Sequence, residues 1–251
     1  MQKWLLIIVG CIVFGLSLLA HLPAQLVFPK NSGKFQFMGI GGSVWQGEVK
    51  QILLSGKALP IRNLNWSVNP TALLTGTLKA GFYEQQTPMN RGNMSLNLLS
   101  RQLELHALLW QLPTGSLDSW IPLKGVRAQG HFVLDLQTLQ LPANEFFPSQ
   151  LGGRLDWQNA ALQVDSDVWH IGSPVMQLSN DGDVIKGVVT NSQPMLSGDG
   201  SFQCTIKNCR VELNLQPGPD APQSVLNGLL LLGLQQTGDQ FSGRITIPLK
   251  P

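Results

Sequence analysis

From Trp4 to Pro29 the chain runs through 26 residues without one Asp, Glu, Lys or Arg. Trp4 to Ala20 is almost wholly apolar. With His21 and Leu22 it reaches the roughly 20 residues that cross a hydrocarbon core of about 30 Å. A backbone in lipid must satisfy its own hydrogen bonds, so residues 4–22 are expected to form a transmembrane helix. Gly10 and Gly15 are compatible with that, because glycine is common in membrane helices. Residues 1–3 then make a short cytoplasmic head, and residues 23–251 a domain on the far side. Lys3 stands before the segment and Lys30 and Lys34 after it, so charge alone does not orient it. The cytoplasmic N-terminus rests on the habit of a short head followed by one long domain. A cleaved signal peptide is the rival reading. Against it, Leu18-Leu19-Ala20 and Leu22-Pro23-Ala24 both carry leucine where a cleavage site wants a small side chain. A buried helix of a soluble fold is the third.

The remainder is long enough to bury a real core as one large or two small domains. Charged residues are 13% of the chain and net charge is +2, which gives no electrostatic grip on nucleic acid. With 26 Gly and 16 Pro, long helices are not expected beyond the first segment. Alternation marks strands instead. Phe35 and Phe37 share one face; Leu64, Trp66 and Val68 share another; so do Phe132, Leu134 and Leu136. Turn clusters such as Asn180-Asp-Gly-Asp183 and Ser197-Gly-Asp-Gly200 separate the later strands. Asn69-Pro70 opens a short helical turn that Gly76 closes. Ala221 to Gln235 is expected to be a helix, with Ser224 as a cap and a leucine patch from Leu226 to Leu234. Gly153-Arg-Leu-Asp-Trp157 echoes Leu64-Asn-Trp66 and suggests two similar halves, 30–140 and 150–251. The expected fold class is therefore mainly β: an N-terminal transmembrane helix, then many short strands with a few short helices, a pattern shared by a barrel, a sandwich and an open curved sheet.

Cys11 lies in the apolar segment and reads as a small filler. Cys204 and Cys209 lie five apart in Cys-Thr-Ile-Lys-Asn-Cys, with Lys207-Asn208 as a hairpin turn. A disulfide suits an oxidising compartment; two free thiols or a metal site are the alternatives. Four intervening residues are not a usual zinc knuckle, and no histidine is near in sequence.

Catalytic motifs are missing. His21, His106, His131 and His170 never fall at ligand spacing. Gly56-Lys57 resembles the end of a phosphate loop, but Gln51 stands where that loop needs glycine. There is no Gly-x-Ser-x-Gly elbow. Asp165 with Asp167 and Asp181 with Asp183 sit in ordinary turns, against a weak calcium reading. Asn65-Trp-Ser67 and Asn93-Met-Ser95 match the glycosylation pattern, which matters only in a eukaryotic secretory route. No enzyme activity, cofactor or metal is expected. Aromatic content stands out instead, with seven Trp and one Tyr. Trp4 reads as an interface anchor. Trp45, Trp66 and Trp157 fill a core or line a binding face.

Together, the N-terminal segment, Gly41-Gly-Ser-Val-Trp-Gln-Gly47, Leu64-Asn-Trp66-Ser-Val-Asn-Pro70, Gly153-Arg-Leu-Asp-Trp157 and the leucine helix before Phe241-Ser-Gly-Arg-Ile resemble the type II secretion system protein N family. The resemblance covers about residues 1–250 and lies in order and length more than in any one motif. It implies a non-enzymatic component of the inner membrane of a Gram-negative bacterium, single-pass, with a periplasmic domain. Its job would be to support the machinery that exports folded proteins across the outer membrane. Its partners would be other secretion components in the inner membrane and periplasm, and the bilayer through residues 4–22. The Trp-x-Gly and Leu-x-Trp-x-x-x-Pro pieces are also similar to the start of AsmA-like envelope proteins, which with the family resemblance implies an extended, curved, mostly antiparallel periplasmic sheet, and lipid on its apolar face as the alternative function. The residues singled out are structural: Trp45, Gly47, Trp66, Pro70 and Trp157 for the sheet, and Cys204 with Cys209 for a strap.

Overall fold

Alternating apolar and polar residues, interrupted by Gly, Asn and Asp turns, produce sixteen strands among the described residues. The computed structural model describes residues 14–15, 17–27, 31–32, 35–54, 57–117, 126–142, 147–164, 167–193, 195–219, 221–231 and 233–248. The chain divides into two units, Met1–Pro88 and Met89–Pro251.

In the first unit the strands are β1 (Asn31–Ser32), β2 (Phe35–Gly42), β3 (Gln46–Leu54), β4 (Lys57–Asn69) and β5 (Thr77–Glu84), paired in that order. All the pairings are antiparallel. A four-residue helix, α1 (Ala24–Val27), precedes them. A 3-10 turn over Pro70–Thr75 joins β4 to β5. Asn69 caps that turn by accepting the Thr71 N–H at 3.0 Å, and Gly76 ends it at φ 71°.

The second unit contains β6 (Arg91–Asn97), β7 (Leu103–Pro113), β8 (Val126–Leu141), β9 (Gln150–Val164), β10 (Asp167–Gly172), β11 (Val175–Asp181), β12 (Val184–Gln193), β13 (Leu196–Cys204), β14 (Asn208–Pro217), β15 (Gln235–Thr237) and β16 (Gln240–Pro248). Its path runs β6-β7-β8-β9-β11-β12-β13-β14-β16-β15, with β10 attached to β9 off that path. Strand β9 divides between two partners. Residues 152–156 pair with β11, and residues 160–164 pair with β10. The change falls at Asn159 (φ 50°), beside Gly130 (φ 106°), where the β8–β9 register slips. Asn and Gly tolerate the left-handed region, so the bulge bends β9 at little cost. The bend brings Trp169 and Ile171 of β10 into a core with Ala160, Leu196, Leu229, Leu234 and Phe241. Leu229 belongs to helix α2 (Gln223–Leu231).

Ala107 is a costlier case. It sits in β7 at φ 48°, where pairing with β6 slips between Arg91↔Leu109 and Asn93↔His106. A left-handed conformation costs an L-residue about 1–2 kcal/mol, whereas glycine loses about 0.5–1 kcal/mol more entropy on folding. The difference favours glycine, so Ala107→Gly is expected to stabilise the chain by about 0.5 kcal/mol. A rise in the urea midpoint at unchanged slope is the readout; a fall would show that the bulge is not strained.

The expected fold class needs three corrections. First, among the described residues no helix is long and apolar enough to cross a membrane. Much of the 4–22 segment, residues 4–13 and 16, lies outside the described residues, and so does Trp4. The helical residues 17–20 end at once. Leu22 O accepts the Val44 N–H at 2.9 Å, and Pro23 bridges Ser43. The chain is thereby turned into the β2–β3 connection. Second, the sheet path of each unit is open and uncurled. Each strand lies antiparallel beside its neighbour, and among the described residues no pairing closes first strand to last. Third, the expected helix 221–235 is shorter. It ends at Leu231, because Gly233 turns left-handed (φ 85°) and the Gly233 and Leu234 N–H groups bond back to Leu230 O and Leu229 O. Ser224 lies within the helix.

Candidate functional site

Gly41-Gly-Ser-Val-Trp-Gln-Gly47 forms the β2–β3 turn. Ser43 N–H bonds Gln46 O at 2.8 Å, and Ser43 Oγ accepts the Gln46 N–H at 3.1 Å. The turn carries Trp45 outward, and its indole N–H donates to Leu19 O at 2.7 Å. A helix end leaves its last carbonyls without helical donors, and here a tryptophan supplies one. Gln25 of α1 reaches the β2 edge, with Nε2 donating to Ile40 O at 3.2 Å. Residues 22–25 therefore occupy part of the outer edge of β2.

Trp66 approaches the same turn from β4. Its register partner is Gly47, and a Cβ built on Gly47 would lie 2.3 Å from Trp66 Cζ2 and 2.6 Å from Gly41 O. The indole thus lies where a side chain at 47 would be, and its N–H donates to Val44 O at 3.2 Å. Val68 N–H bonds Trp45 O at 2.6 Å, two residues before Pro70. Trp45, Gly47, Trp66 and Pro70 are thus one neighbourhood in the first unit. Glu84 is buried at the end of β5, where Oε1 accepts the Arg62 N–H at 3.0 Å.

Trp157 belongs to the second unit. Its indole donates to Gln129 O at 2.9 Å, its N–H bonds Pro174 O at 2.9 Å, and its ring tilts against Phe132 with centroids 5.3 Å apart. Cys204 and Cys209 are directly opposed residues of β13 and β14 with Cα atoms 4.0 Å apart, and they are disulfide-bonded. A link closing a loop this short removes about 2 kcal/mol of denatured-state entropy. Cys204→Ser with Cys209→Ser is expected to lower stability by about that amount, as reductant should in the native chain; equal urea midpoints for oxidised and reduced chain would refute it.

None of these groups assembles acid–base chemistry. His106 Nε2 stands 3.1 Å from Glu104 Oε2, which Ser95 Oγ also reaches. Lys186, 2.7 Å from Asp181, holds that carboxyl below its ordinary range, first through the hydrogen bond and then through charge. Asp183 shares that turn, and Asp165 lies outside the described residues. Asp156 raises the Arg154 guanidinium, again mainly by hydrogen bonding. These pairs are surface features of the second unit. Among the described residues no group of three or more His, Cys, Asp or Glu could hold a metal ion.

Sequence reasoning missed the buried polar groups and the two strand edges. Asn191 Nδ2 donates to Ile171 O at 2.6 Å and to Leu196 O at 2.7 Å, clamping β10 to β13. On the outer side of β16, β15 covers Gln240–Ser242 and Leu234 leans on Gly243. From Arg244 onward no strand among the described residues pairs that edge. Hollows lie in both units. One in the second unit is lined by Ser197, Asp199, Asn214, Gln216, Gln240 and neighbours. Another in the first unit is lined by Gln46, Glu48, Asn65, Ser67, Tyr83 and neighbours.

The expected single-pass inner-membrane placement, with a cytoplasmic N-terminus and a periplasmic domain, is corrected by the same finding as the fold: no described helix spans a bilayer. The partner expectation loses its bilayer contact through 4–22 for that reason.

Comparison with known proteins gives one consistent result. A family model for protein N of the type II secretion system matches residues 34–244. The type II secretion system protein N of Vibrio cholerae serotype O1 is 29% identical over 175 residues, covering 67% of this chain and 68% of the relative. No solved structure matches.

Proposed function

We infer that this chain, which belongs to the type II secretion system protein N family, supports assembly of the machinery that exports folded proteins across the outer membrane. Protein secretion and a non-enzymatic role follow from the family. What it does within the assembly is the proposal. The observation that carries it is the match over residues 34–244, which reaches into both units.

The mechanism rests on strand edges. An unpaired edge presents a row of N–H and C=O groups to any extended segment that approaches it. In the first unit residues 22–25 guard part of β2. In the second unit β16 beyond Gly243 is left uncovered among the described residues. A partner component of the machinery adding a strand there would form main-chain bonds with β16 without any catalytic group.

Two measurements test the role. Removing the chain from its native host should reduce secretion of folded substrates, and affinity capture under mild crosslinking should recover other secretion components. Undiminished secretion together with capture of no such component would refute the assembly role.

A further inference from the structure

On one face of the first unit, four register partners form a row across four strands: Gly41 (β2), Glu48 (β3), Asn65 (β4) and Tyr83 (β5). A second row one step along the strands contains Gln46, Ser67 and Gly81. Trp66 and Phe82 alternate to the opposite face. Strand spacing puts the Tyr83 and Glu48 backbones about 10 Å apart. Between and beside them the small residues Gly41, Ser67 and Gly81 keep the floor low, and a hollow of about 490 Å³ results. That lies within the roughly 300–1,000 Å³ of small-ligand sites. Tyr83 is the one tyrosine of the chain, and it is 50% exposed.

From this geometry we infer that the hollow is a binding site for a neutral oligosaccharide. The lining, to which Trp66 of β4 also contributes, offers the flat Tyr83 ring and a set of groups that bond hydroxyls: the Glu48 carboxylate, the Asn65 and Gln46 amides and the Ser67 hydroxyl. A pyranose has the complementary surface, with a flat C–H face for the ring and hydroxyls around its rim. No lysine or arginine lines the hollow, and Lys50 lies against Gly39. Phosphates and acidic polymers therefore have no cation to bind. A peptide is poorly served as well. Strands β3 and β4 are each paired on both sides, so their main chains are committed to neighbouring strands. This inference does not depend on the secretion reading.

The test uses the full chain titrated with chitotriose and with cellotriose, followed by calorimetry and saturation-transfer NMR. Saturable binding of at least one trisaccharide is expected, with Kd on the order of 1 mM. Tyr83→Phe keeps the ring and should bind within about twofold of the native chain, whereas Tyr83→Ala should lose about tenfold or more. Glu48→Gln should weaken binding several-fold. Because Tyr83 is half exposed, unfolding midpoints should be unchanged, which separates lost binding from lost fold. Absence of saturable binding by either trisaccharide would overturn the inference, as would equal affinity of Tyr83→Ala and native chain. Binding of an extended valine-rich peptide in the hollow, with neither saccharide bound, would overturn it too.

Discussion

Phe241→Ala is expected to destabilise the chain by about 4 kcal/mol, the upper part of the range for large buried side chains. Phe241 is 1% exposed and closes the core of Trp169, Ile171, Leu196, Leu229 and Leu234. Those neighbours come from β10, β13, helix α2 and the segment after it. They are held by separate hydrogen bonds, including the two that the Asn191 side-chain amide donates to Ile171 O and Leu196 O, so the site cannot collapse freely. The cavity cost then adds to the lost transfer energy. Phe241→Leu keeps most of the volume and should cost under about 1.5 kcal/mol. Urea denaturation of both variants checks this. Equal losses would mean that Phe241 acts through something other than packing.

Gly47→Ala is expected to cost about 3 kcal/mol through overpacking. The new methyl group meets the Trp66 ring at 2.3 Å and the Gly41 carbonyl oxygen at 2.6 Å. The second obstacle is backbone, so Trp66→Leu should recover only part of the loss. Gly187 gives the contrasting case. A Cβ there would meet the Phe202 ring at 1.9, 2.4 and 2.6 Å, and its three nearest atoms all belong to that ring. Phe202→Leu should therefore rescue most of a Gly187→Ala loss, a strongly non-additive pair. Equal rescue at both glycines would contradict the distinction between ring and backbone obstruction.

These two glycines also show what the sequence disclosed and what it withheld. Alternation such as Leu64, Trp66, Val68 is a local signal of period two, so the mainly β character was legible, and the order of short motifs pointed to the family. Pairing is not local. Nothing in the sequence indicates that Trp66 lies over Gly47, nineteen residues earlier, or that Trp45 donates to the carbonyl of Leu19. Bulges are similarly hidden. Ala107 at φ 48° reads as an ordinary strand alanine, because the conformation is imposed by the slip in register with β6. The apolar stretch misled for another reason. Its composition satisfied the length rule for a span, while Val44, Trp45 and Ser43 turn its far end into the sheet. The Tyr83 row escaped notice because its members come from four strands.

The most direct test of the assembly role is site-specific photocrosslinking in the native host, with the probe at Thr246 on the open edge of β16. The control position is Ser201, on β13, which is paired on both sides. Discrete adducts to other secretion components from Thr246, and none from Ser201, are predicted. The same adduct pattern from both positions, or no secretion component at Thr246, would contradict recruitment through that edge.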